Sequence, residues 1–142
     1  MSTPFPPIEQ LLPHRESAIV VDRLLAIDAE GCRVAASVKP GAGYLDARGE
    51  MPAWVGLELM AQACSAFSGW RNTLSGRAIR VGYLLGTRSF DATEPAFPVG
   101  TDLEVEVKVI FLDESGPSAF RCELHRAGIR VAHATLKAIE VP

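Results

Sequence analysis

The chain has 142 residues, of which 48% are apolar and 22% charged, a composition typical of globular proteins and unlike that of disordered chains. The formal net charge is −3, and no basic cluster indicates a nucleic-acid partner. No apolar run approaches the roughly 20 residues of a membrane-spanning helix, so no membrane span is expected. This length predicts one domain covering residues 1–142.

The cysteine pattern indicates the compartment. Cys32, Cys64 and Cys122 are odd in number, far apart in the sequence, and embedded in apolar or alternating segments. They predict three reduced thiols rather than a disulfide framework. The first residues carry neither the basic region nor the apolar stretch of a secretory signal. We therefore expect a cytoplasmic protein and, since no metal-ligand spacing is present, no metal or other cofactor.

The first half of the chain predicts a hairpin followed by a helix. Short β-branched runs and alternating residues predict two strands around the turn at Glu30-Gly31. A proline at the first turn and a long apolar segment predict the helix, which should be buried because it is apolar on most faces. The predicted elements are a helical turn (Ile8 to Leu12), two strands (Ser17 to Ile27, Cys32 to Lys39), a loop (Pro40 to Glu50) and a helix from about Pro52 to Arg71 or Thr73.

The second half predicts only strands. The clearest alternation runs from Leu103 to Phe111, where one face should meet water. The remaining predicted elements are strands at Ala78 to Phe90, Phe120 to His125 and Ile129 to Val141, a loop at Pro95 to Asp102, and turns at Asp113 to Pro117 and Ala127-Gly128. Two strands, one long helix and four strands predict an α+β fold with an antiparallel sheet. A single buried helix of this length can be enclosed only if the sheet curls around it.

Glu58 is the most informative single residue. It lies within an apolar stretch of the predicted helix, where an unpaired carboxylate is costly. Gln62 and Ser65 follow at i+4 and i+7, so the three residues form a narrow polar stripe on one helix face. The stripe either faces solvent or lines a crevice in which desolvation would make Glu58 a proton donor.

Three short motifs along the chain carry a family resemblance. Leu-Leu-Pro-His-Arg at 11–15, followed by Ile-Val-Val-Asp-Arg at 19–23, is similar to the N-terminal signature of the 3-hydroxyacyl-acyl-carrier-protein dehydratases, a family with the hotdog fold. Met51-Pro52, Glu58 and Met-Ala-Gln at 60–62 resemble the start of its central helix, and Pro-Val-Gly-Thr-Asp-Leu at 98–103 its loop into a late strand. The sequence of residues 51–58 resembles even more closely the dehydratase-like proteins of aryl polyene biosynthesis. The resemblance implies a hotdog domain, in which an antiparallel sheet wraps around one long central helix.

The resemblance also implies a catalytic pair. In the family, a carboxyl on this helix works with a histidine from the preceding loop, and backbone N–H groups at the helix start polarise the thioester carbonyl. Glu58 matches the carboxyl, but the position of the loop histidine is occupied by Tyr44, and a phenol is a poor base at neutral pH. His14 is the candidate substitute, reaching Glu58 across a dimer interface; its alternative role is structural. Pro52, Trp54, Gln62 and Tyr44 are the candidate substrate-binding residues.

Three functions remain open. The first is dehydration of a 3-hydroxyacyl thioester of acyl carrier protein or coenzyme A, in fatty acid or polyene biosynthesis. The second is a non-catalytic subunit that pairs with an active dehydratase, which the missing loop histidine favours. The third is a hotdog thioesterase in which Glu58 activates water. The fold implies a homodimer or a heterodimer with a paralogous hotdog protein, which would cover an exposed strand edge.

Overall fold

The computed structural model describes residues 5–14, 18–113 and 116–141. Ser17, where the first strand was predicted to start, and the centre of the predicted Asp113 to Pro117 turn lie outside these residues. Within them the chain forms one α-helix, α1 (Gly56–Leu74), preceded by a 3₁₀ turn (Ala53–Val55), and another 3₁₀ turn at Ile8–Gln10. The strands are β1 (Arg23–Asp28), β2 (Gly31–Ser37), β3 (Glu50–Pro52), β4 (Val81–Ala92), β5 (Ala96–Pro98), β6 (Asp102–Phe111), β7 (Ser118–Arg126) and β8 (Ile129–Val141).

Six of the strands form one antiparallel sheet in the order β1-β2-β6-β7-β8-β4, and β3 pairs with β5 in a small second sheet. The inner face of the large sheet packs on α1, where Met60, Ala63 and Phe67 are fully buried. Phe67 meets Phe120 of β7 edge to face, with the ring centroids 6.1 Å apart. The predicted α+β hotdog architecture, a sheet wrapped around one central helix, is confirmed.

The first strand is shorter than predicted. β1 begins at Arg23, although the apolar run before it has the composition of a strand. The reason lies in Gln62 of α1, whose side chain accepts a hydrogen bond from the Val20 N–H and donates one to the Ala18 carbonyl. A buried side chain therefore takes the place of a neighbouring strand for this segment.

Two short strands precede α1 and β6. β3 begins at Glu50, the last residue of the first predicted loop, and runs into the predicted helix start, whereas β5 lies inside the second predicted loop. β3 and β5 pair three residues with three, and Met51 lies opposite Phe97 with both side chains buried. Prolines occupy both elements, and three residues are too few for a period-2 pattern to be recognised. These strands close the core at the start of α1, where the Ala53 N–H donates to the Pro95 carbonyl.

The predicted turn between β7 and β8 is confirmed. Ala127 and Gly128 both have positive φ, 51° and 80°, as a two-residue hairpin turn requires. β8 then follows the predicted range, so its pairing with β7 and β4 is set from this turn onward.

β4 is the outermost strand of the large sheet and begins at Val81, three residues later than predicted. Its pairing with β8 shifts register between Leu84 and Gly86, which marks a bulge in the strand. Val81, Tyr83 and Leu85 are about half exposed along it. No helix in the described ranges is long and apolar enough to cross a membrane.

Candidate active site

A groove of about 250 Å³ lies between one face of α1 and the inner face of β4, β7 and β8; we call it the helix–sheet groove. Small side chains of α1, those of Ala61, Cys64, Ser65 and Ser68, form its floor on the helix side. Because these side chains are short, they leave open space that longer residues would fill. His14 and Glu58 line one end of the groove.

His14 and Glu58 come together within one chain. Nε2 of His14 lies 4.0 Å from Oε1 of Glu58, and the two side chains are 31% and 52% exposed. This contact corrects one part of the sequence interpretation, since His14 reaches Glu58 within the same chain and not across a dimer interface. The helix also begins at Gly56 and not at about Pro52, so Glu58 lies in the first turn of α1, half exposed at the groove mouth.

Gln62 holds this end of the site together. Its side chain is completely buried, and Nε2 donates to Oε1 of Glu58 at 3.0 Å. The same amide binds the backbone of Ala18 and Val20, at 2.6 and 2.9 Å. Gln62 therefore fixes Glu58 relative to the segment that leads from His14 into β1. Of the predicted polar stripe, Glu58 and Ser65 line the groove and Gln62 lies behind it.

A close backbone contact holds the chain before His14 against the helix. A Cβ atom added at Gly69 would meet the carbonyl oxygen of Leu11 at 2.0 Å. Only glycine permits α1 to approach the residue 11 backbone this closely. Leu11 and Leu12 are buried beside the helix, so the position of His14 is set by packing that ends two residues before it.

The other candidate residues lie outside the groove lining. Tyr44 is half-buried, and its hydroxyl accepts a hydrogen bond from the Lys39 N–H at 3.1 Å. Pro52 ends β3 at the start of the 3₁₀ turn, and Trp54 in that turn is 66% exposed. The structure thus brings His14, Glu58 and Gln62 together and leaves Tyr44, Pro52 and Trp54 nearer the loop and helix start.

The two remaining histidines contact carboxylates elsewhere on the sheet. Nε2 of His125 lies 2.9 Å from Oε1 of Glu123, and this hydrogen bond is the main cause that lowers the pKa of Glu123. Nε2 of His133 lies 3.6 Å from Oδ2 of Asp91. Neither histidine lines the helix–sheet groove.

The three cysteines meet in the core, although they are distant in the sequence. All are buried free thiols, as predicted, and the Sγ atoms of Cys64 and Cys122 are 3.6 Å apart. Burial raises the pKa of Cys32 to about 12 and holds that of Cys64 well above its ordinary value. A nucleophilic role for these thiols is therefore not favoured.

A sheet wrapped around one helix, with an acidic helix residue at the mouth of the groove between them, is the arrangement of a hotdog-fold dehydratase-like protein. The chain belongs to the ApeP-like family, whose model is described as ApeP dehydratase and matches residues 6–142. The 3-hydroxyacyl-[acyl-carrier-protein] dehydratase FabZ of Bartonella quintana (strain Toulouse) is 31% identical over 134 residues, which is 91% of this chain and 84% of that protein. The predicted dehydratase-like family is confirmed.

Solved structures agree with the fold. The dehydratase heterocomplex ApeI:P from Xenorhabdus doucetiae matches with a TM-score of 0.93 and 24% identity, over 97% of this chain and 93% of that one. A hypothetical thioesterase protein with coenzyme A from Streptococcus pneumoniae TIGR4 matches with a TM-score of 0.63 and 12% identity, over 84% of each chain. At these identities, the likeness establishes the hotdog fold.

Proposed function

We propose that the protein dehydrates 3-hydroxyacyl thioesters, with His14 and Glu58 as its catalytic residues. The observation that supports this most directly is the 4.0 Å approach of His14 Nε2 to Glu58 Oε1 at the mouth of the helix–sheet groove. An imidazole beside a carboxyl is a pair that can accept one proton and donate another. The curated FabZ relative is a dehydratase of acyl-carrier-protein thioesters, which agrees with this chemistry.

The reaction assigns one proton transfer to each residue. His14 takes the proton from C2 of the thioester, and the electron pair of that C–H bond forms the C2–C3 double bond. The C3–O bond breaks, and Glu58 delivers a proton to the departing hydroxyl, which leaves as water. Because one proton is removed and one is added, the pair returns to its starting charge after proton exchange between His14 and Glu58.

Two further features suit this reaction. Gln62 is a positioning residue, because it donates to Glu58 while binding the backbone that leads away from His14. The 3₁₀ turn and α1 start without a side-chain N-cap hydrogen bond among the described residues. The Ala53 N–H is bound to the Pro95 carbonyl and the Gly56 N–H to carbonyls of the 3₁₀ turn, so an oxyanion site here would use the N–H groups of the residues between them.

We also propose that a second hotdog subunit pairs along β4. Among the described residues β4 has a neighbouring strand on one side only, and it exposes Val81, Tyr83 and Leu85. An exposed apolar edge of this length is a pairing surface. The partner is a second copy or a paralogous hotdog protein, as in the ApeI:P heterocomplex. The acyl group arrives on acyl carrier protein or coenzyme A, and the cytoplasm is the proposed compartment because the three thiols are free.

A specific observation favours a second candidate function, the non-catalytic partner subunit. Tyr44 stands at the position that the family resemblance gives to the loop histidine, and its hydroxyl is engaged by the Lys39 N–H. A chain that lacks this base could instead shape the groove of an active neighbour. The thioesterase alternative is supported only by the similarity of the fold to a hypothetical thioesterase.

Steady-state dehydration of a 3-hydroxyacyl thioester by the purified full chain tests the proposal. Glu58→Gln and His14→Ala should each lower kcat/KM by about 10²–10⁴-fold, the range for loss of a general acid or base. The matched controls Glu104→Gln and His125→Ala lie outside the groove and should stay within about twofold of wild type. Normal turnover by Glu58→Gln would refute the mechanism. A folded, inactive wild-type dimer would favour the partner-subunit function.

A further inference from the structure

The far end of the helix–sheet groove differs from its mouth. Arg71, Arg77 and Arg80 all line the groove and are all half-buried; we call this region the arginine end. At the α-helical rise per residue, the path along α1 from Glu58 to Arg71 is about 20 Å. The arginine end is therefore a helix length away from the proposed reaction centre.

Pairing in the sheet fixes the other wall of the arginine end. The Arg77 N–H donates to the Asn72 carbonyl at 2.7 Å, which holds Arg77 at the C-terminus of α1. Asn72 is buried, and its side chain donates to Glu140 of β8 at 3.2 Å. Glu140 lies opposite Gly82 of β4, and Gly82 follows Arg80 by two residues. Helix and sheet thus bring the three arginines to one end of the groove.

Positive charge at this end is incompletely matched. The ion pairs formed among the described residues include none of the three arginines. Nε of Arg77 is enclosed by protein and has no hydrogen-bond partner in the described ranges. Two carboxylates, Asp113 and Glu140, also line this end, so guanidinium groups remain in excess. An enclosed polar donor without a partner indicates a ligand or ordered water at that point.

Between the two ends the lining suits a hydrocarbon chain. Phe120, Leu136 and Ala138 form the sheet wall, opposite the short side chains of α1. A linear acyl chain whose thioester lies at Glu58 would extend along this wall toward the arginine end. A methyl group at this end would displace water from the arginines without replacing the hydrogen bonds of that water, whereas a hydrogen-bond acceptor would replace them.

We propose that the arginine end binds a hydrogen-bond-accepting group at the distal end of the acyl chain, such as a carboxylate, so the protein selects polar-ended over methyl-ended chains. This inference rests on the proposed function for the position of the thioester. Arginine suits the role because its planar guanidinium binds a carboxylate through two parallel hydrogen bonds. The competing source of an anion is the phosphate of a pantetheine arm, and the experiment separates the two.

The test uses two 3-hydroxyacyl N-acetylcysteamine thioesters of equal length, one ending in a methyl group and the other in a carboxylate. These thioesters contain no phosphate. Wild type should prefer the carboxylate-ended thioester by roughly tenfold or more in kcat/KM, as expected when a polar site rejects an analogue without the matching group. Arg77→Met and Arg80→Met should each remove most of this preference, and either variant alone suffices if the other does not fold. Arg121→Met, on the outer face of β7, should retain it.

A second arm separates this inference from the proposed function. Calorimetry with the matching thioesters that lack the 3-hydroxyl group measures binding without turnover, and the same preference supports the inference even if no dehydration is detected. Equal affinity for the two chain ends in wild type would overturn it. The corresponding methyl-ended and carboxylate-ended coenzyme A thioesters, which contain phosphate, complete the comparison. The inference would also be overturned if Arg77→Met weakened the binding of both coenzyme A thioesters equally and left the binding of the N-acetylcysteamine pair unchanged, because the arginines would then bind the phosphate.

Discussion

Replacing Gln62 by leucine tests whether one buried amide holds the proposed site together. Leucine has a similar volume, so Gln62→Leu removes hydrogen bonds without leaving a large cavity. Three are lost, those to the Val20 N–H, the Ala18 carbonyl and the Glu58 carboxylate. The sequence offers a matched control in Gln10→Leu, since Gln10 is exposed and is the only other glutamine.

The magnitude follows from the number of bonds and their exposure. Three net hydrogen bonds contribute about 2–4 kcal/mol, and the exposed Ala18 segment can recover part of this from water, which leaves a loss of about 2–3 kcal/mol. The midpoint of urea unfolding should then fall by about 1–2 M. Because Glu58 also loses its donor, kcat/KM for dehydration should fall by roughly tenfold even under conditions where the variant is fully folded.

Urea unfolding followed by fluorescence, together with the dehydration assay, measures both effects. Gln10→Leu should change the free energy of unfolding by less than about 0.5 kcal/mol. If the two variants unfolded at the same urea concentration, the hydrogen bonds of Gln62 would not stabilise the segment after His14. Glu58 and this segment would then be held in place by other contacts than the buried amide.

Two further predictions concern close packing and the buried thiols. Gly69→Ala should lower the free energy of unfolding by about 1–3 kcal/mol because the added Cβ meets the Leu11 carbonyl, despite the better helix propensity of alanine. The control Gly43→Ala, with open space around the added Cβ, should be nearly neutral. Equal urea midpoints for the two variants would contradict this prediction. Burial raises the pKa of Cys32 to about 12 and that of Cys64 in the same direction, so the unfolded chain loses these protons first as the pH rises. Stability should be fully retained below about pH 8 and should then fall by about 1.4 kcal/mol per pH unit for each such thiol. Urea unfolding at pH 8 and pH 10.5 measures this, and Cys32→Ala should show a smaller loss; an equal loss in both proteins would refute it.

The elements that could be predicted are those whose pattern is long and whose pairing is local. β6 shows the expected alternation over almost its whole length, and the hairpin of β7 and β8 follows from its turn residues. β1 was predicted too long because the Gln62 amide, distant in the sequence, binds the backbone that precedes the strand. β3 was missed because three residues that include a proline carry no recognisable period.

The site was predictable in its chemistry and less so in its arrangement. A glutamate in an apolar helical segment pointed to Glu58, and the Pro-His-Arg resemblance pointed to His14. Nothing in the sequence spacing indicates that Gly69 lets the Leu11 backbone touch the helix, which brings His14 to Glu58 in the same chain. The arginine end was missed for a related reason. Arg71 lies in the last turn of α1 and Arg80 precedes β4, so their proximity depends on how β4 lies along β8.

The exposure of Glu58 and the exposure of β4 have a common explanation in the proposed second subunit. Elimination of water from a thioester is easier in a site from which bulk water is excluded, because interactions with developing charge are stronger there. In the single chain Glu58 is half exposed, while Tyr83 and Leu84 of β4 line the same groove. A partner strand on β4 would cover that wall, and the groove would become enclosed at the same step that removes the unpaired edge. On this argument, dissociating the subunits should abolish dehydration before it unfolds the chain.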